Sequence, residues 1–339
     1  MALLVLRVTD KCNLKCRYCY AYRENGADMD FSVAKKSIDE FYNHYLKFKI
    51  QITGGEPLLN YDLIIKIAEY IKSLGIEAPI NIQTNGTLLN RERLENLQKY
   101  NIGISISLDG IMQINDNLRP LKNGESSFRI TDANITKMAE MGIYTQLNAV
   151  VTKENVDYID KLFDYALVKG NIRGISIDIL RNISKGKNVE SADKEQLIQL
   201  LKRIEIKLEL FRSAGIQIEF KDFSKMVYIL SNNIERNHYC YAQTYSSIAV
   251  MPNGDYYPCS SLAEGEEFFI ANINEGIGEI KVFRQLMTNS NKCNKCDIKN
   301  LCCGGCSAGR IYGNSDLDCI IKTYSYEYAK KMLKNKELK

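Results

Sequence analysis

The sequence predicts an α/β protein built on a parallel, mostly buried sheet, followed by a smaller cysteine-rich region. Three observations carry that expectation. Apolar runs and amphipathic stretches alternate six times, strand then helix, over roughly the first 180 of 339 residues. The composition is that of an ordinary globular chain, 45% hydrophobic and 25% charged, with length enough for two domains. The texture then changes, and eight of the eleven cysteines fall between Cys240 and Cys319.

In chain order, the strand candidates are residues 3–8, 49–53, 79–84, 102–108, 144–151 and 172–180. Between them, residues 32–45, 61–74, 91–99, 130–140 and 155–168 read as amphipathic helices. A buried parallel sheet explains the apolar character of the strands. Residues 193–214 form one long helical pattern, with Leu197, Leu200, Leu201 and Ile204 at helical spacing. In MPNGDYYPC, Asn253-Gly254 between β-like runs is a hairpin signal. Residues 324–334 close the chain as a helix with a basic end.

Composition also excludes. Lys and Arg number 45 against 41 Asp and Glu, for a formal charge of +4, and no long basic block stands out, which argues against a nucleic-acid partner. No signal-like segment opens the sequence and no apolar run is long enough to span a bilayer. A cytoplasmic protein without a membrane partner is expected, and there cysteines stay reduced, so clustered thiols point to metal. With only His44 and His238 available, any metal site is sulfur-rich.

The first such cluster is DKCNLKCRYC, which places Cys12, Cys16 and Cys19 directly after the first strand. Functional loops of parallel sheets gather at the strands' C-terminal ends. Three thiols are one short of a closed tetrahedral site. Zinc with a distant fourth cysteine and a redox Cys-x-x-Cys at Cys16 and Cys19 both remain open on spacing alone. Three more polar loops follow strands. ITGGEP offers Gly54 and Gly55 for close backbone approach to a ligand and Glu56 as an acceptor for a cationic group. QTNG spans 83–86 and SLDG spans 107–110. Together these loops make a binding face.

With these motifs the chain resembles a radical S-adenosylmethionine (SAM) enzyme. Cys12-x3-Cys16-x2-Cys19, with Tyr18 before the last thiol, matches that superfamily's signature. The resemblance implies a partial (β/α)6 barrel and a [4Fe–4S] cluster on the three thiolates. The fourth position is then filled by the methionine part of S-adenosyl-L-methionine. Gly54, Gly55 and Glu56 match the motif that receives the methionine amino group. Tyr18 is placed with the cofactor-binding residues, and Ser107, Asp109 and Arg119 lie where relatives contact ribose and carboxylate.

The C-terminal spacing is Cys240-x13-Gly254-x4-Cys259, then Cys293-x2-Cys296-x5-Cys302-x3-Cys306, then Cys319. By itself it also suits zinc ribbons. It resembles the SPASM domain of peptide- and protein-modifying radical enzymes, with a final gap shorter than the commonest. That resemblance implies an outer cluster on Cys293, Cys296, Cys302 and Cys319 and an inner one on Cys240, Cys259 and Cys306. Three [4Fe–4S] clusters are expected in all. The inner cluster lacks a fourth protein ligand, for which Cys303 and His238 are candidates. The expected division is a barrel over 1–190, a helical connector over 191–237 and the SPASM domain over 238–339.

The resemblance implies a peptide or protein substrate and an external low-potential electron donor. Relatives that mature peptides often carry a leader-recognition domain; with no such segment before the first strand, that domain is expected to be either absent or supplied by a separate leader-recognition protein. Sulfatase maturases carry an aspartate after the second SPASM cysteine, where this chain has Ser260 and Ser261. The expected activity is therefore a thioether (sactipeptide-type) link from a substrate cysteine to carbon. The alternatives are a carbon–carbon crosslink, an epimerisation or another oxidation, sulfatase-maturase chemistry included.

Overall fold

The computed structural model describes residues 2–337 apart from 22, 24, 245, 264, 277–285 and 287–290. Six parallel strands run side by side in sequence order: β1 (Ala2–Arg7), β2 (Phe48–Thr53), β3 (Ile80–Thr84), β4 (Gly103–Ser107), β5 (Thr145–Val151) and β6 (Ile172–Ile179). Each lies within two residues of its expected bounds. Among the described residues the sheet holds four more strands. β7 (Glu219–Phe220) continues the parallel set beyond β6. β8 (Ser247–Val250) lies parallel to β1 on its other side, and β9 (Asp255–Tyr257) and β10 (Ala271–Asn272) follow antiparallel. The connector and the cysteine-rich region thus both extend the first region's sheet.

The strands alternate. One face carries Leu4, Leu6, Ile50, Ile52, Ile82, Ile104, Ile106 and Leu147, all buried in the main core. Against that face pack α1 (Phe31–His44), α2 (Tyr61–Leu74), α3 (Arg91–Lys99), α5 (Ser127–Glu140) and α6 (Lys161–Lys169), while the short α4 (Gln113–Leu118) sets Leu118 in a separate cluster with Tyr18 and Leu180. The apolar stripes of the core-facing helices, such as Ala34, Ile38 and Phe41 on α1, belong to the main core. The other face carries polar side chains in register: Gln51 opposite Asn81, Ser105 opposite Gln146, Asn148 opposite Ser176. The Asn81 side-chain oxygen accepts from Ser105 Oγ at 3.2 Å, and Asn148 accepts from Ser176 Oγ. Polar groups on a half-buried face call for such partners or for a wet cavity. Asn148 opens into one cavity, which residues at or beyond the C-terminal halves of all six strands line.

Helix ends follow local chemistry. Asn90 caps α3 by accepting from the Arg93 amide at 2.8 Å, and α2 stops at Gly75, whose φ is +65°. The helix expected over 155–168 starts only at Lys161. Asn155 is used instead as a staple: its side chain accepts from the Thr152 amide and donates to the carbonyls of Asp109 and Val150. Beyond β6, α7 (Lys194–Ser213) opens with a capping box on Asp193 and Gln196. α8 (Lys221–Ser231) follows, and short helices α9 (Lys299–Cys302) and α10 (Ser307–Ile311) lead to α11 (Ser315–Glu337). This last helix begins nine residues before the expected start at 324, so Cys319 lies within it. It packs on α8 through Phe223, stacked on Tyr328 at 4.2 Å. The Asn253-Gly254 turn joins β8 to β9 as expected, with Gly254 at φ +87°.

Candidate active site

The loop after β1 is tied down at both ends. Arg7, 2% exposed, reaches Asp10 Oδ1 with Nε at 2.7 Å and donates to the carbonyl of Ala21. The Asp10 amide bonds Ala27 O at 2.8 Å, and the Met29 amide bonds Val8 O at 2.9 Å. Further along, Lys15 N donates to Pro120 O and Arg17 N to Leu118 O, at 2.8 and 2.9 Å. The second loop abuts the first: Gly55 N donates to Thr9 O and Glu56 N to Lys11 O. A Cβ at Gly54 would stand 2.6 Å from Thr9 O, and one at Gly55 would stand 2.3 Å from Lys11 O. The glycines are therefore needed for loop-to-loop contact as well as for any approach to a ligand.

The cavity measures about 330 Å3. Cys12, Cys16 and Cys19 line it together with Tyr18, Gly54, Gly55, Ser107 and Arg119. Burial pushes the thiol of Cys12 up to about 11 and that of Cys16 to about 12, and the Arg119 cation opposes both shifts. Arg119 Nη1 donates to the Tyr18 hydroxyl at 2.7 Å and lies 3.7 Å from Asp109 Oδ2, while the Tyr18 hydroxyl donates to Asp109.

Two of the expected residues stand behind this lining. Asp109, fully buried, accepts from the Val150 amide at 2.8 Å and so joins the fourth loop to β5. Glu56, also fully buried, accepts from Thr84 Oγ1 at 2.6 Å, from Asn85 N at 2.7 Å and from Leu58 N at 3.1 Å. Burial raises its carboxyl above the usual range even so. Its carboxylate fastens the second loop to the third.

The cavity also exposes residues that the sequence analysis did not single out: Tyr20, Asn148, Asp178 and Arg181. Asn148 and Asp178 belong to the polar inner face of β5 and β6. Their signal was present as polar residues at every second position of otherwise apolar strands.

The C-terminal thiols fall into two groups. Burial pushes the thiols of Cys240 and Cys259 up, and the neighbouring Cys306 adds to both shifts. Cys302 feels Cys319 and Cys293, and Cys319 feels Cys293 and Cys296. Arg181 brings the first group to the cavity: it donates to Ser261 Oγ, which lines the same cavity, and its Nη2 lies 3.9 Å from Cys306 Sγ. A second cavity of about 290 Å3 continues beyond it, lined by Arg181, Cys306, Asp318 and Lys322. Neither proposed fourth ligand joins that group. Cys303 is turned toward the carbonyl of Asn300, and His238 lines a separate hollow with Ala2, Tyr45 and Ser246, at the start of β1 and β8.

The Radical SAM superfamily profile matches residues 6–166. An uncharacterized protein of Methanocaldococcus jannaschii is 36% identical over 275 residues, which are 80% of this chain and 88% of that protein. The chain belongs to the radical SAM superfamily. The radical SAM cyclopropyl synthase TigE of Paramaledivibacter caminithermalis is 24% identical over 91% of this chain and 69% of its own. Among solved structures, anSMEcpe with bound AdoMet and Cp18Cys peptide superposes with a TM-score of 0.84 at 20% identity, covering 99% of both chains. The radical SAM fold implies S-adenosylmethionine and a [4Fe–4S] cluster, and the residues present fit both. Three thiols from one loop, Cys16 buried and Cys12 and Cys19 half-buried, line a cavity together with a cation and glycine backbone. No helix among the described residues is long and apolar enough to cross a membrane.

Proposed function

We propose that this radical SAM enzyme takes a hydrogen from a ribosomally made peptide and closes a thioether link between a substrate cysteine and carbon. The observation that carries the reading is Arg181, which joins the thiol group of Cys240, Cys259 and Cys306 to the rim of the main cavity. Peptide chemistry is supported by the fold shared with anSMEcpe, a protein solved with a bound peptide.

Bound here, the cluster and S-adenosylmethionine would supply a 5′-deoxyadenosyl radical for hydrogen abstraction. Cys12, Cys16 and Cys19 would hold the cluster, and Arg119 and Ser107 would meet the carboxylate and ribose of the cofactor. Tyr18 and Asp109 would orient Arg119, while Glu56 would keep the second and third loops at the right separation for the methionine amino group. Cys240, Cys259 and Cys306 would hold an inner cluster with one ligand position short, and Cys293, Cys296, Cys302 and Cys319 an outer one. The open position would take the substrate's cysteine sulfur, as thiolate, close to the reacting carbon.

A carbon–carbon link is the second reading. It is favoured by the likeness to the cyclopropyl synthase and by the Asp178 carboxylate in the cavity, a group able to accept a proton. Mass spectrometry on a cysteine-containing candidate peptide separates the two. Either link removes two hydrogens, but only the thioether makes the peptide refractory to thiol alkylation. A dehydrogenated peptide that still alkylates fully would overturn the thioether reading and favour the second. Failure to form 5′-deoxyadenosine under dithionite would overturn both.

A further inference from the structure

The three N-terminal thiols face two hollows. Besides the main cavity, Cys12, Cys16 and Cys19 line a second, smaller one of about 100 Å3. Its remaining lining is strongly one-sided in charge. Lys11, Lys15, Arg23, Lys122 and Lys185 surround it, with Asp10 as its one carboxylate. Five cations against one anion give a net charge of +4, equal to that of the whole chain, so the rest of the sequence is balanced. Asp10 is itself matched by the buried Arg7 at 2.7 Å. Lys11 is partly offset by Asp28 at 2.6 Å. Lys15 and Lys122 are exposed, and the backbone holds them on one face: Lys15 N bonds Pro120 O and Lys122 N bonds Asn13 O, at 2.8 and 3.1 Å. Among the described residues, the charges beside Cys293 and Cys296 are more mixed. Around Cys293 and Cys296, Asp316 takes up both Lys194 and Lys292, and Asp297 stands between Lys295 and Lys299.

We propose that this basic rim is the docking site of a small acidic one-electron carrier protein, seated so that its redox group faces the loop of Cys12, Cys16 and Cys19. The inference rests on the assignment of these thiols to a redox cluster. At this face the carrier loses one electron and the group held by the thiols gains it; no bond is made or broken. A weak, charge-steered contact suits the task, because the carrier must leave after each transfer. Clustered cations raise the encounter rate with an acidic partner and make binding salt-sensitive. None of these five cations lines the main cavity, so a carrier seated on them leaves that cavity to the substrate.

The test uses the whole reconstituted enzyme and a purified acidic flavodoxin as probe. Its dissociation constant is measured calorimetrically between about 50 and 200 mM salt. Wild type should bind and weaken with salt. Lys15→Glu/Lys122→Glu should weaken binding about tenfold or more and flatten the salt dependence. Lys15→Arg/Lys122→Arg should keep both, which separates charge from folding. Dithionite needs no docking face, so 5′-deoxyadenosine formation with it should be equal in all three proteins. Absence of binding by wild type, unchanged binding by the charge-reversed protein, or loss of binding by the Arg variant would overturn the proposal. Loss caused instead by Lys295→Glu/Lys299→Glu would move docking to the C-terminal thiols and overturn it too. If dithionite yields no 5′-deoxyadenosine in wild type, the proposed function fails, and the binding data still decide the docking face.

Discussion

The thiols of the first loop and those of the C-terminal region are held by different means. Cys12, Cys16 and Cys19 sit in a loop braced by backbone and buried side-chain hydrogen bonds from the ends of β1, β2 and β3 and from residues 118–122. Asn13, inside the loop, exchanges side-chain hydrogen bonds with Asn85 and Thr87 of the third loop at 2.9 and 2.8 Å. The C-terminal thiols sit on turns, on the four-residue α9 and near the start of α11. Regular structure does little there to fix one thiol against another. The lesson is that the first site is shaped by the sheet before anything binds, whereas the C-terminal sites would gain their order from what they bind.

The largest expected effect separates the two regions by chemistry. Changing Cys12, Cys16 and Cys19 together to Ala should abolish 5′-deoxyadenosine formation and leave about eight irons per chain, four for each remaining cubane. Iron counting and product chromatography check it. Loss of all iron would mean the regions are not independent.

Removing iron with a chelator should sharpen the contrast next. Limited proteolysis followed by mass spectrometry should find new cuts within 238–319, while 2–180 stays protected. Equal protection of both would show that the C-terminal region is also preformed.

Reloading the first site carries a pH signature. In the metal-free chain, burial holds Cys12 at about 11 and Cys16 at about 12, so at neutral pH both bind as thiols that must lose protons. Iron uptake by the N-terminal site should therefore release protons and strengthen as pH rises from 7 toward 9, measured by iron titration on a chain whose C-terminal cysteines are Ala.

Smaller still is the brace itself. Glu56→Gln sets an amide N–H against one of the donors from Thr84, Asn85 or Leu58 and should cost about 1–3 kcal/mol of stability in urea unfolding. Arg17→Ala removes an exposed ion pair to Glu154 and should change stability by at most about 1 kcal/mol. A reversal of that order would mean that the surface pair, and not the buried carboxylate, holds the loops.

The six barrel strands were legible because each is a short apolar run bounded by polar loops, and α2 and α3 matched their expected bounds because Gly75 and Asn90 mark them. The polar lining at Asn148 and Asp178 was legible in principle, as alternation within β5 and β6, but apolar content dominated the reading of those strands. β7 and β10, two residues each, carry too little pattern to be seen. The pairing of β8 with β1 could not be seen at all, since nothing local in either strand specifies a partner about 240 positions away. At the site, the clustered thiols and the glycines were found by spacing. Arg181 was missed because its role depends on the approach of Ser261 and Cys306, which are 80 and 125 residues distant in sequence. Glu56 and Asp109 were found by motif, but motifs give no direction, and both side chains point into the scaffold.

The seat of β1 between β2 and β8 sets an order of events during synthesis. β1 is apolar on both faces, yet its second neighbour begins at Ser247. At about 5–20 residues per second, that neighbour arrives roughly 10–50 s later. For that interval the nascent chain carries an open, sticky edge beside the very loop that must later receive iron. β1 is thus enclosed only after β2 to β7 have been made, and slow translation near residue 250 would prolong the exposure of that edge.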